Sequence, residues 1–159
     1  SLNIKKTNYI IFNNKGKIIN KDKLVLLIDD IEIEEVKNTK FLGTITNSTL
    51  TWDDHIQLIR NKISKSIGIM IKIKNNIHHQ ILLTLYYTLI LPYLSYCNII
   101  WACHESDHLQ KLFIKQKKAI RIVCNAKWNA HTQPLFLQLS LLTVFNINKS
   151  QVGCRILKP

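Results

Sequence analysis

Hydrophobic and polar residues alternate with a short period over the first 50 positions and with the longer period of a helix after them. The stretch IEIE at 31–34 alternates strictly, and the runs NYIIF and LVLLI before it are rich in aromatic and aliphatic residues. Such runs favour strands, and NNKG at 13–16 is typical of a turn. We therefore predict a small antiparallel β-hairpin layer over residues 1–50.

The stretch KFLGTITNSTLTWDDHI at 40–56 joins the two parts of the chain. KFLGTI has the composition of a further strand. Thr51 and Asp54 match the Ser/Thr-x-x-Asp/Glu pattern of a helix N-cap, and Asp53 and Asp54 suit the positive end of the helix dipole. The pattern predicts a helix that begins after Thr51, so the second part of the chain is residues 51–159.

Three long helical patterns follow this joint. The first places apolar residues in one stripe at helical spacing, namely Trp52, Ile56, Ile59, Ile63, Ile67 and Met70. The second runs from about Ile77 through ILLTLYYTLILPYLSYCNIIW, with a kink or break expected near Pro92. Two shorter helices are expected after residues 132–134 and after Thr143. The predicted fold class is therefore α+β, with the β-hairpin layer followed by a mainly α-helical bundle.

The third helical pattern, SDHLQKLFIKQKKAIRIVCN, begins with Ser106 or Asp107 as its N-cap. Its apolar face consists of Leu109, Leu112, Phe113, Ile120 and Val123. The other face carries Lys111, Lys115, Lys117, Lys118 and Arg121, and Ile114 and Ile122 are placed on that charged side as well. Because three of these lysines recur at i, i+4 and i+7, they line up along one side of the helix.

The charge of the chain is concentrated in its second part. The formal net charge is +12, and no acidic residue follows Asp107. A basic segment of this kind favours a polyanionic partner, either nucleic acid or an anionic membrane surface. The abundance of Ile, Asn and Lys is also what an AT-rich coding sequence would produce, so we take the placement of the lysines, and not their number, as evidence.

Two adjacent carboxylates, Asp29 and Asp30, follow the run LVLLI. Polymerases use such a pair to hold Mg²⁺ ions for phosphoryl transfer, together with a third carboxylate on another strand. The apolar residues on both sides of this pair are instead those of a plain hairpin. We therefore predict a polar turn at this position and no catalytic residue in the chain.

The cysteines are Cys97, Cys103, Cys124 and Cys154. The first two, with His104 and His108, form a C-x5-C-H-x3-H pattern, but structural zinc sites bring pairs of ligands from two separate knuckles. Core thiols and a histidine at a helix end are favoured, so we predict no metal site. Reduced thiols and the lack of a signal-peptide pattern favour an intracellular protein, cytoplasmic or nuclear.

Residues 81–100 carry no charge over the length of a membrane span. Threonine, tyrosine, asparagine and proline make this run polar for lipid, and both of its flanks are basic. A buried central helix explains the same residues. We keep a single-span membrane protein as the weaker alternative.

The stretches FLGTITNSTLTWDDHI, KSIGIM, LYYTLILPYLSYCNIIW and LQKLFIKQKKAIRIVCNAKWNAHTQPLF follow one another with specific spacing. In this order they resemble the C-terminal part of the reverse transcriptases of Jockey-like non-LTR retrotransposons, over nearly the whole chain to about Asn148. In that family the catalytic aromatic-x-Asp-Asp box lies upstream of the segment that SLNIKKTNYIIF resembles. Asp29 and Asp30 lack the leading aromatic residue, and the missing initiating Met is what a fragment beginning after the box would show.

The resemblance implies that residues 1 to about 50 are the end of the palm and that the helices after Thr51 are the thumb and the segment beyond it. Phe41, Leu42 and Gly43 would lie in a strand and turn that help to grip the primer. The implied partners are an RNA/DNA primer–template duplex and the remainder of the polymerase, with no membrane. Mg²⁺ is expected only in the full parent enzyme, and the chain alone is expected to be inactive.

A thumb contacts the backbone of the duplex, and such contacts require Lys and Arg on rigid helix faces. The candidate nucleic-acid contacts are Lys62, Lys65 and Lys72 on the first helix and Lys115, Lys117, Lys118 and Arg121 on the third. The alternative function from another class is a helical protein-interaction module without a role in nucleic-acid binding.

Overall fold

The computed structural model describes residues 3, 7–12, 25–103 and 105–156. The chain divides into two compact units, residues 1–55 and residues 56–159. Short strand pairs come first and helices follow, which confirms the α+β fold class. The turn predicted at 13–16 lies outside the described residues.

The strands in the described part of the first unit are β1 (Asn8–Tyr9), β2 (Leu27–Ile28), β3 (Ile31–Glu32), β4 (Glu34–Glu35), β5 (Asn38–Phe41) and β6 (Thr44–Asn47). They form three two-stranded pairs. The β2–β3 and β5–β6 pairs are antiparallel, as predicted. The β1–β4 pair is parallel, with Asn8 opposite Glu34. The alternation of residues along a strand does not specify the direction of its partner, so this pairing could not be predicted.

Asp29 and Asp30 join β2 to β3, and this confirms the turn predicted there. Their φ angles are 50° and 60°. Two residues with positive φ between antiparallel strands are the mark of a type I′ hairpin turn, whose twist matches that of the strands. Aspartate enters this region more readily than most residues because its short side chain bonds locally.

The prediction of one strand over KFLGTI is wrong, because the stretch folds as the β5–β6 hairpin. Leu42 and Gly43 form its two-residue turn with φ angles of 45° and 83°, and Phe41 pairs with Thr44. The Thr44 hydroxyl donates a hydrogen bond to the Phe41 carbonyl at 2.8 Å. An apolar residue within the turn gives the sequence the appearance of an uninterrupted strand.

The first helix, α1, spans Asp53–Ile73, and the N-cap predicted at Thr51 is wrong. Trp52 has a φ of 61°, so it is not the helical residue that a cap at Thr51 requires. The Thr51 hydroxyl instead accepts a hydrogen bond from Asn47 Nδ2 at 2.8 Å, and the Thr51 N–H donates to Asn47 Oδ1 at 3.0 Å. These two hydrogen bonds between Asn47 and Thr51 close the turn before the helix. The two aspartates lie in the first helical turn, as predicted.

The other helices in the described residues are α2 (His79–Leu89), α3 (Leu91–Ser95), α4 (Asn98–Trp101), α5 (Asp107–Val123), α6 (Gln133–Gln138) and α7 (Val144–Ile156). The break predicted near Pro92 is confirmed, since Ile90 leaves the helical region between α2 and α3. A second break follows at Cys97, where φ is 50°. The predicted cap at Ser106 is also confirmed, because its hydroxyl accepts a hydrogen bond from the Leu109 N–H at 3.2 Å.

The apolar stripes of α1 and α5 are buried in the second unit, and α2, α3, α4, α6 and α7 contribute further buried side chains. The buried stripe of α1 is the predicted one, except that Trp52 is half-buried and lies outside the helix. On α5 Ile114 is exposed, as predicted, whereas Ile122 is buried and its placement on the charged side is wrong. Residues 81–100 contribute buried side chains from α2, α3 and α4. Among the helices that the structure describes, none combines the length and the apolar character that crossing a membrane requires.

A buried side-chain amide connects several of these elements. Gln116 of α5 is fully buried, and its Nε2 donates to Tyr86 Oη of α2 and to the Leu142 carbonyl, both at 2.9 Å. Its Oε1 accepts a hydrogen bond from the Val144 N–H at 2.9 Å. Both donor hydrogens are thereby used, and the carboxamide fixes α5 against α2 and against the start of α7. Burial raises the pKa of Tyr86 from 10 to about 12, although the hydrogen bond from Gln116 acts in the opposite direction.

We expect the stability of the chain to show this pKa difference at high pH. Between pH 10 and 12 the unfolded state releases the Tyr86 proton while the folded state retains it, so the free energy of unfolding falls as the pH rises. The loss is on the order of 2–3 kcal/mol. Urea denaturation of the native chain and of Tyr86→Phe across this range gives the comparison, since the other groups titrate in both proteins. If the free energy of unfolding depended on pH in the same way in both proteins, the raised pKa of Tyr86 would be contradicted.

Candidate nucleic-acid interface

Two of the basic helix faces meet in an open groove. Arg60, Asn61 and Ser64 of α1 and Lys111, Ile114 and Lys115 of α5 line this α1–α5 groove, whose volume is about 340 Å³. Three of the lining residues are cationic and none is acidic. Positive charge from two separate helices is therefore concentrated in one place.

The spacing of residues on each helix explains how the groove forms. Arg60 and Ser64 are four residues apart on α1, and Lys111 and Lys115 are four residues apart on α5, so each pair lies on one helix face. Arg60 lies three or four residues from the buried Ile56 and Ile63. Lys115 stands in the same relation to the buried Leu112 and Ala119. Arg60 and Lys115 therefore border the packed stripes. Packing of the buried stripe fixes the position of each helix and thereby of the groove residues beside the stripe.

The groove is open to solvent along its length. Asn61, Lys111 and Ile114 are exposed, whereas Arg60 and Lys115 are half-buried. Arginine and lysine side chains offer positively charged N–H donors, which bind phosphate or carboxylate oxygens. An open, basic site on two helices suits an extended polyanion better than an enclosed small molecule.

The predicted contacts on α5 fall into two groups. Lys115 lines the groove, and the exposed Lys118 lies three residues further along the same face. Lys117 instead places its Nζ 4.3 Å from the centre of the Phe113 ring, a cation–π contact. The half-buried Arg121 donates from Nε to the Ala130 carbonyl at 3.0 Å. The last two cations thus have partners within the chain, and their predicted role in nucleic-acid contact stays a prediction.

The predicted contacts on α1 do not line the groove. Lys62 places its Nζ 4.9 Å from the centre of the Tyr93 ring of α3. Lys65 and Lys72 are exposed, and their seven-residue spacing puts them on one face of the helix. They extend the positive surface of α1 beyond the groove.

Arg60 and Lys111 are the cations of the groove that were not among the predicted contacts. The predicted contacts on the first helix are all lysines, and Lys111 was placed on the charged face of the third helix but not among the contacts. The available signal for Arg60 was its position four residues after Ile56 and three before Ile63, since a residue at the border of a packed stripe meets the neighbouring helix. Which helix is the neighbour depends on the tertiary fold and not on the local pattern.

Phe41, Leu42 and Gly43 form the end of the β5–β6 hairpin in the first unit. The two apolar side chains are largely exposed, at 66% and 73%. An exposed apolar hairpin end is available for contact with another molecule. Their predicted role in gripping the primer stays a prediction.

The thiols have mixed environments. Cys103 and Cys154 are exposed, whereas Cys97 and Cys124 are half-buried, and burial raises the pKa of the Cys124 thiol. The prediction of a core thiol is therefore wrong for Cys103, which follows the last turn of α4. His108 lies in the first turn of α5, which confirms a histidine at a helix end.

No group of three or more His, Cys, Asp and Glu residues suited to a metal ion occurs in the part of the chain that the structure describes. The residue His104 of the C-x5-C-H-x3-H pattern lies outside that part.

A second hollow lies on the side of α5 that carries Phe113 and Lys117. This α5–α6 hollow has a volume of about 870 Å³, and half of its lining residues are apolar, among them Phe113, Phe136 and Leu141. Lys117 and His131 are the basic residues of its lining. Its apolar character distinguishes it from the α1–α5 groove.

Comparison with known proteins gives one distant similarity. The chain is 23% identical over 152 residues to the "Probable RNA-directed DNA polymerase from transposon X-element" of Drosophila melanogaster. The match covers 93% of this chain and 16% of that relative, so the chain spans less than a fifth of its length. No protein-family profile and no solved structure matches the chain. The similarity is thus to a transposon polymerase, in agreement with the resemblance to reverse transcriptases.

We expect Arg121→Gln to lower the free energy of unfolding by about 1–2 kcal/mol, because the Ala130 carbonyl loses a charged donor. The matched control is Lys118→Gln, which removes the same charge from an exposed position of the same helix. A surface change of this kind should stay within about 0.5 kcal/mol. Urea denaturation measures both. If both substitutions changed the free energy of unfolding by the same small amount, the hydrogen bond from Arg121 to Ala130 would contribute little to stability.

Proposed function

We propose that this chain is the end of the palm and the thumb of a reverse transcriptase from a Jockey-like non-LTR retrotransposon. In this proposal the helical part holds an RNA/DNA primer–template duplex, and the remainder of the polymerase supplies the catalytic carboxylates and their Mg²⁺. The distant similarity to a transposon polymerase supports the parentage. The proposal places the chain in the cytoplasm or the nucleus.

The single observation that carries the proposal is the α1–α5 groove. Its three cations, Arg60, Lys111 and Lys115, project from two helices whose apolar faces are buried. A duplex presents phosphates at regular intervals, and fixed cations on helices meet them at a lower entropic cost than cations on loops would.

Contacts of this kind bind the backbone and leave the bases unread. The groove offers lysine and arginine donors and one exposed apolar side chain, Ile114. Recognition of base edges requires an element that enters the major groove of the duplex, whereas phosphate contacts set position without sequence information. A polymerase that copies any template needs binding of this sequence-tolerant type.

The alternative function, a helical protein-interaction module, is favoured by the α5–α6 hollow. Its apolar side chains, which include the largely exposed Leu137, have the character of a protein contact. The remainder of the polymerase is a partner that satisfies this observation within the proposed function as well. Binding of a nucleic-acid duplex therefore separates the two functions.

We predict that the native chain binds RNA/DNA duplexes of unrelated sequence with similar affinity and with a steep dependence on salt. In the triple variant Arg60→Gln, Lys111→Gln, Lys115→Gln the slope of log affinity against log salt should fall by about 2–3, because each phosphate contact contributes about 0.9. Fluorescence anisotropy with a labelled hybrid duplex measures the slope.

The matched control is Lys37→Gln, Lys74→Gln, Lys149→Gln, which removes three charges from positions outside the groove. This variant should retain the slope of the native chain. Circular dichroism establishes that both variants are folded. An unchanged slope in the folded groove variant would rule out phosphate contact there and favour the interaction module.

A further inference from the structure

Trp128 has the largest exposed fraction of any large apolar side chain in the described residues, 87%. The other tryptophans are half-buried or buried: Trp101 is 2% exposed, and Trp52 is intermediate. Leaving an indole in water forgoes a large hydrophobic stabilisation. An indole in this position is therefore available to another molecule.

The loop that carries Trp128 is fixed by hydrogen bonds. It begins with a Schellman motif at the end of α5, in which the Ala126 N–H donates to the Arg121 carbonyl at 2.8 Å and the Asn125 N–H donates to the Ile122 carbonyl at 3.1 Å. Asn125 has the required left-handed conformation, with a φ of 47°.

The loop is closed on its other side as well. The Ala130 N–H donates to the Lys127 carbonyl at 3.0 Å, and the Ala130 carbonyl accepts the hydrogen bond from Arg121. Residues on both sides of Trp128 are thus bonded to each other or to α5. The indole is presented by an ordered turn, so little conformational entropy is lost when a ligand stacks on it.

The surroundings of the loop are basic. Lys127 precedes Trp128 and is exposed, and the exposed His131 follows the loop. The hydrogen bond of Arg121 brings the loop back to the end of α5 that also carries Lys118. No acidic residue lies in the sequence after Asp107. A ligand of this surface therefore combines a flat apolar face with negative charge.

An unpaired nucleotide has both properties. Its base stacks on an aromatic ring, and its phosphates attract nearby cations, as in proteins that bind single strands. The bases inside a duplex are already stacked on each other and offer no free face. We infer that Trp128 is a stacking platform for an unpaired nucleotide of RNA or DNA, a site separate from the phosphate contacts of the α1–α5 groove. This inference rests on the proposed function only in that the chain binds nucleic acid.

Binding of a short labelled oligothymidylate, measured by fluorescence anisotropy, tests the inference. Trp128→Leu keeps an apolar side chain but removes the aromatic face, and we expect it to weaken binding about 5- to 150-fold. Trp128→Phe should restore most of the affinity. The salt slope should be the same in all three proteins, because stacking releases no counterions. Ile81→Ala, at an exposed apolar position of α2 outside both the groove and the hollow, is the control and should bind as the native chain does.

The same oligonucleotide with abasic sites serves as the second probe. The native chain and Trp128→Leu should bind it equally, since no base is present to stack. The stacking platform would be overturned if the native chain and Trp128→Leu bound the base-containing oligonucleotide with equal affinity. It would also be overturned if Trp128→Leu lost as much affinity for the abasic oligonucleotide as for the base-containing one. In either case the salt slope of the groove variants still decides the proposed function by itself. If the native chain binds neither the oligonucleotide nor the duplex, both inferences are wrong.

Discussion

The buried carboxamide of Gln116 is the interaction on which the arrangement of the helical unit depends. A polar group removed from water is tolerated only when its hydrogen bonds are made, and this one reaches Tyr86, Leu142 and Val144 at 2.9 Å each. It therefore fixes how α5 is rotated about its own axis. Ile114, two residues earlier in the helix, points away from this contact and is exposed.

The rotation of α5 decides which of its cations can act together. With Gln116 facing the core, Lys111 and Lys115 are placed at the α1–α5 groove, and Arg121 is placed where it bonds the loop after the helix. The chain thus uses similar residues for different purposes. Cations of the groove are available to an outside ligand, whereas Arg121 and Lys117 shape the protein itself.

Much of this arrangement could be predicted from local pattern. The stripes of α1 and α5, the cap at Ser106 and the break before Pro92 are set by residues within one or two turns of each other, and these predictions are confirmed. The predictions that are wrong concern places where the local sequence permits two conformations equally well. Thr51 exchanges hydrogen bonds with Asn47 instead of capping α1, and Leu42 takes a turn position although it is apolar.

The candidate site was harder to predict than the fold because it is assembled from two helices. The alignment of Lys111 with Lys115 follows from helical spacing, but the addition of Arg60 requires knowledge of which faces of α1 and α5 approach each other. That approach depends on burial and on contacts such as those of Gln116, which join residues distant in sequence. The sequence therefore predicted a basic face, and the structure identifies which of its cations share a groove.

Nuclear magnetic resonance mapping of the native chain with a short RNA/DNA hybrid duplex tests the central claim, that the α1–α5 groove is the surface that meets nucleic acid. Amide shifts of the ¹⁵N-labelled chain report which residues respond to the duplex. We expect the largest changes at residues 60–64 of α1 and 111–118 of α5. Changes concentrated at the α5–α6 hollow, around Phe136 and Leu141, or no changes at saturating duplex, would contradict it.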